Sequence, residues 1–173
     1  MRAYFTLICL AIAAFLAPAA HAQCVALTDL LAIGADPTAQ SSGKVVTDHL
    51  SFEWAYMASA PTAKEASWTY TPSGTSTPTA RLVVRPQRPG QDVVLKTAQA
   101  SCVRDLRSEL KSRKLTPQPV TCPSCEAVRY QGADFDVTLY SMMKGEFPFV
   151  VVVHQVPPTM PPAANGATTT KNP

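Results

Sequence analysis

Residues 93–156 leave this chain few folds to choose from, because one amphipathic helix there is followed by two long strand patterns. Between Ala98 and Leu115, the apolar residues Cys102, Val103, Leu106 and Leu110 recur at three- and four-residue steps. Arg104, Arg107, Lys111, Arg113 and Lys114, with Asp105 and Glu109, fill the other positions. That spacing predicts a helix with one buried stripe, its basic last turns complementing the helix dipole and Pro117 and Pro119 ending it. Farther on, Phe135, Val137 and Leu139 alternate with Asp136, Thr138 and Tyr140, the pattern of a strand with one wet face. The run 147–156 is apolar on both faces (Phe149, Val151 and Val153; Val150 and Val152), so it predicts a central strand, with Pro148 near its start. A sheet backed by helices is the architecture that buries such elements.

The upstream half carries the same signals more faintly. Leu27, Leu30 and Leu31 predict a short helix over 25–33 with Gly34 as its stop. Residues 45–52 predict a second helix. Trp54, Tyr56 and Met57, then Trp68 and Tyr70 within 66–71, read as strands broken by Pro61. Residues 73–78 are rich in Ser, Thr, Gly and Pro and predict a loop. Arg81–Val84 and Val93–Lys96 predict two strands around the Arg88-Pro89-Gly90 turn, and 127–131 predicts one more.

The N-terminus predicts a destination. Arg2 supplies a positive start, Ala3 to Leu16 is an apolar run, and Ala20-His21-Ala22 is a small-x-small triplet. This is the layout of a secretory signal peptide over 1–22, too short for a permanent anchor of about 20 apolar residues. The expected product begins at Gln23, lacks an integral membrane segment, and lies in the periplasm or outside the cell. Residues 157–173 are rich in Pro, Thr and Ala without a core pattern, and predict a disordered tail.

Charge narrows the partners. Arg2 is the single charged residue of the first 22, so the remainder carries 14 Lys and Arg against 12 Asp and Glu. That balance argues against nucleic acid or an anionic membrane surface as partner. The basic helix reads as a solvated outer face, because acids are interleaved and aromatics are lacking.

Export changes how the cysteines are read. Cys9 leaves with the signal, and Cys24, Cys102, Cys122 and Cys125 remain, an even set in an oxidising compartment. We expect one bridge within Cys122-Pro123-Ser124-Cys125 and one joining Cys24 to Cys102; the competing pairing ties Cys102 to Cys122 or Cys125. The CPSC pair is also the one candidate for chemistry, since a first thiolate can attack a disulfide and a second resolve the intermediate. Cys125 is followed by the strand pattern Glu-Ala-Val-Arg-Tyr, whereas exchange enzymes of the thioredoxin type open a helix there. A structural bridge is therefore the preferred reading. One CxxC with distant His49 or His154 fits no zinc spacing, Glu126 in place of His excludes haem attachment, and no cofactor or metal is expected. His154 on its Val-rich strand reads as a hydrogen-bonded residue. No nucleophile elbow or phosphate-cradling loop occurs. Trp54, Tyr56, Trp68 and Tyr70 read as core, or as a binding surface if their face were open.

The two halves, about 24–96 and 97–156, run in parallel. Cys24-Val25 and Cys102-Val103 each begin a Leu-bearing helical stretch that leads into three strand candidates. This element order resembles the tandem helix-plus-meander layout of small exported inhibitor and assembly-factor domains of the beta-lactamase-inhibitory type. The likeness lies in element order alone and assigns no residue a role. The expectation is one α+β domain over 23–156, an antiparallel sheet covered by helices. The expected function is non-catalytic: binding a protein or small-molecule partner through the sheet face or loops, with thiol–disulfide exchange at Cys122 and Cys125 as the alternative.

Overall fold

A computed structural model describes residues 23–57 and 65–156; the expected signal segment 1–22 and tail 157–173 lie outside them. Helices α1 (Leu27–Ala35) and α2 (Gly43–Thr47) precede strands β1 (Trp54–Met57), β2 (Ala66–Tyr70), β3 (Ala80–Pro86) and β4 (Gln91–Thr97). Helix α3 (Ala100–Ser112) then precedes β5 (Pro117–Val120), β6 (Glu126–Gln131), β7 (Phe135–Ser141) and β8 (Phe149–Gln155). All eight strands form one antiparallel sheet in the order β1-β2-β3-β4-β8-β7-β6-β5. The fold is α+β, as expected. Each half is a helix-led meander of four strands rather than three, and the last strands of the two meanders, β4 and β8, pair at the centre.

The fourth strand of the second half is β5, where the sequence predicted only the end of a helix. Helix α3 stops at Ser112, before the expected Leu115, because Lys114 turns left-handed (φ 61°). The Leu115 N–H then donates to the Leu110 carbonyl at 3.3 Å, closing the helix end. Pro117 and Pro119 follow in an outermost strand, paired with Tyr130 and Val128. A proline has no N–H to give the ladder, so both occupy positions whose N–H would face out of the sheet. Helix α2 likewise ends at Thr47 instead of Phe52.

Side-chain alternation divides the sheet into two unlike faces. On one, Trp68, Leu82, Val84, Val93, Leu95, Val137, Leu139, Val151 and Val153 join Leu27, Leu30, Ile33, Val46, Leu106 and Leu110 of the helices in a single core. Each of the larger side chains contributes about 1.5–3 kcal/mol by leaving water. Central β8 carries Val151 and Val153 into that core and leaves Val150 and Val152 half-buried on the other face. The aromatic group belongs to the core face: Trp54 and Trp68 are buried, the Trp68 indole donates to Thr47 Oγ1 at 3.2 Å, and Tyr56 alone of the four is exposed at the β1 edge. Burial, with the Glu53 charge second, pushes the Tyr70 hydroxyl above its ordinary pKa.

Helix α1 is tied at both ends. The Cys24–Cys102 bridge (Cα–Cα 5.1 Å) and the bond from Leu27 N–H to Glu109 Oε2 (3.3 Å) hold its start against α3. At its other end the buried Gln91 amide donates to the carbonyls of Ile33 (3.3 Å), Gly34 (2.9 Å) and Asp36 (2.7 Å), and accepts from Gln40 (3.1 Å). Gly34 therefore does not stop the helix. It is buried inside α1, where an added Cβ would collide with the Gln155 side chain. The turn that follows is held by the Asp36 carboxylate, which accepts from the Thr38 hydroxyl (2.6 Å) and N–H (2.7 Å). Those bonds hold the Asp36 carboxyl below its ordinary range.

Candidate functional site

The second face of the sheet is the candidate site, because every described helix packs on the first. Period-two geometry places Arg81, Val83 and Arg85 of β3 there, with Asp92, Val94 and Lys96 of β4. Val150, Val152 and His154 of β8, Asp136, Thr138 and Tyr140 of β7, and Arg129 of β6 continue it. None of these side chains belongs to the core, although Val83 and Val94 are buried. Their same-strand neighbours two residues away on this face include Arg81, Arg85 and Lys96, whose stems are long enough to shield them.

Across one end of this face runs a row of charges. The register sets Arg85 opposite Asp92, Asp92 opposite His154, and His154 opposite Asp136. Arg85 donates to Asp92 Oδ2 from Nε (3.2 Å) and Nη2 (3.1 Å). The other Asp92 oxygen lies 2.9 Å from His154 Nδ1. An ionised carboxylate can only accept, so Nδ1 carries a proton and donates it in this contact. Asp92 is 7% exposed at its side chain and His154 27%. The carboxylate is therefore held out of water by two donors while the imidazole reaches solvent. Beyond His154, Asp136 accepts two bonds from Arg129, at 2.5 and 3.3 Å, which hold the guanidinium above its usual pKa. His154 and Asp136 also border a shallow cleft whose rim includes Gln131, Asp134 and Gln155.

The residues singled out from sequence are dispersed. Cys122 and Cys125 are bonded to each other (Cα–Cα 5.2 Å) in the loop joining β5 to β6, at the edge of the sheet. A strand follows them, so no helix N-terminus is present there to lower a thiol pKa. His154 is two strands away from β6, and its register partner Asp136 pairs with Gln131, at the end of β6 remote from Cys125. His49 lies in the helix layer, 3.4 Å from Asp29 of α1. Among the described residues no group of three His, Cys, Asp or Glu is placed to hold a metal ion, and no helix is long and apolar enough to cross a membrane.

Sequence reasoning found His154 and read it as a hydrogen-bonded strand residue, but it missed the row to which it belongs. The usable signal was the polar member of each alternating pair, Arg85, Asp92, Asp136 and Arg129. Their adjacency depends on which strands pair. Compared with protein-family models, curated proteins and solved structures, the chain matches none.

Proposed function

We propose that this chain is an exported, non-catalytic binding protein that engages its partner with the helix-free face of the sheet. The observation carrying the proposal is the division of the sheet. One face is closed by helices into an apolar core, while the other presents half-buried Val150, Val152, Thr138 and Tyr140 beside an ordered row of charged groups. Such a mixture of apolar surface and fixed polar groups suits reversible recognition. Two disulfides are compatible with an oxidising compartment, and the signal-like first 22 residues point the same way.

A photo-crosslinking amino acid placed at Thr138 on the helix-free face, and separately at Arg107 on the outer side of α3, tests this in the producing cell. A discrete adduct from position 138 and none from 107 is the expected result. Adducts from 107 alone, or from neither position, would overturn the proposal.

A further inference from the structure

The partner of this face is acidic: we infer that Arg81 and Lys96 form a carboxylate-binding pair for an acidic polypeptide segment. The inference rests on the reading of the helix-free face as the binding surface and names the chemistry of what it binds. Within the strands, this face carries four cations, Arg81, Arg85, Lys96 and Arg129, and two carboxylates, Asp92 and Asp136. Both carboxylates are already committed, Asp92 to Arg85 and His154, and Asp136 to Arg129. Arg81 and Lys96 have no ion pair or side-chain hydrogen bond among the described residues.

These two cations are also direct cross-strand partners in the β3–β4 ladder. Like charges in that relation, on strands about 4.8 Å apart, repel and destabilise the pair. The Arg81 Nε is in addition shut off from solvent without an acceptor, which costs the desolvation of a charged donor. One oxyanion seated between the two side chains removes the like-charge repulsion. It accepts from the guanidinium fork and neutralises the ammonium. The surroundings favour a carboxylate on a polypeptide over a free phosphate or a sulfated sugar. In the ladder, Lys96 is flanked by Val150, and Tyr140 lies opposite Val150 on the next strand, so the pair sits beside apolar surface that a side chain next to the acidic residue can cover.

The test is fluorescence anisotropy of a labelled decaglutamate peptide against the purified protein, its Arg81→Gln/Lys96→Gln variant and an Arg104→Gln/Arg107→Gln control on the outer face of α3. The parent is expected to bind, to weaken as salt rises from about 50 to about 300 mM, and to lose about tenfold in affinity in the Arg81/Lys96 variant. The α3 control should stay within about twofold. A cooperative thermal unfolding transition in the Arg81/Lys96 variant shows that lost binding is not lost folding. Lys96→Gln alone, at a half-buried position, should shift binding in the same direction. Equal binding by parent and Arg81/Lys96 variant overturns the inference. Displacement by heparin or inorganic phosphate at lower concentration than by unlabelled decaglutamate overturns the polypeptide assignment. If the position-138 adduct persists in the Arg81/Lys96 variant, the acidic-partner inference falls and the binding face stands. If the parent gives no such adduct, both fall.

Discussion

Gln91 shows what a single side chain contributes to this molecule. A helix leaves its last carbonyls without intrahelical partners, and in the last turn of α1 Ile33 and Gly34 are buried. The Gln91 amide, itself 1% exposed, spans the carbonyls of Ile33, Gly34 and the following Asp36 from the first residue of β4 and ties the helix layer to the sheet. Gln91→Ala would remove a donor from all three carbonyls, of which Ile33 keeps the Asp36 N–H, and open space beside Gln40. We expect a loss of about 2–3 kcal/mol in urea unfolding. A loss below about 0.5 kcal/mol would mean that the amide is replaceable by solvent. Nothing in the local sequence announces this role, because a glutamine opening a strand reads as a surface residue.

Two tight turns, one enclosed and one open, separate backbone conformation from packing at the scale of the element. Gly90 closes the β3–β4 hairpin at φ 101°, after the cis Arg88–Pro89 bond, and a Cβ there would run into the Gln155 backbone carbonyl. Gly74, in the loop between β2 and β3, has a similar φ of 81° with open space around it. An alanine at position 74 therefore meets only the left-handed penalty, about 1–2 kcal/mol. At position 90 it must also displace backbone of the central strand, so Gly90→Ala should cost clearly more, by at least about 1 kcal/mol. Equal effects in parallel thermal melts would show that the β8 end yields freely. The Arg88-Pro89-Gly90 turn was legible from its residues, but its contact with β8, more than sixty residues away in sequence, was not. Strand β5 was missed for a related reason: two prolines exclude a central strand but are tolerated in an outer one, and only the sheet order shows which it is.

Across the whole molecule, the two disulfides act on different lengths of chain. Cys24 and Cys102 are 78 residues apart, and their bridge ties the start of the first half to the helix that leads the second. Cys122 and Cys125, 3 apart, close only a turn. In the chain-entropy account the long closure stabilises by about 4–5 kcal/mol and the short one by about 2 kcal/mol. Replacing Cys24 and Cys102 by serine should therefore lower the unfolding free energy by roughly twice as much as replacing Cys122 and Cys125. Comparable losses from the two double variants would show that unfolded-state entropy is not what distinguishes the bridges.

The α+β class, the α3 stripe of Cys102, Val103, Leu106 and Leu110, the central place of β8, and the tandem order of the two halves were legible in the order of residues. Each follows from local periodicity, in which a side chain's direction depends only on neighbours a few residues away. Which strands lie side by side, and with that the makeup of the candidate site, emerges only in the folded chain. It brings Arg85, Asp92, His154, Asp136 and Arg129, drawn from five strands, into one row, and sets Arg81 against Lys96 without a counter-charge among the described residues. Alternation tells each polar residue which side of its own strand it occupies. Only the pairing of β4 with β8, between residues about sixty apart, tells it what stands beside it.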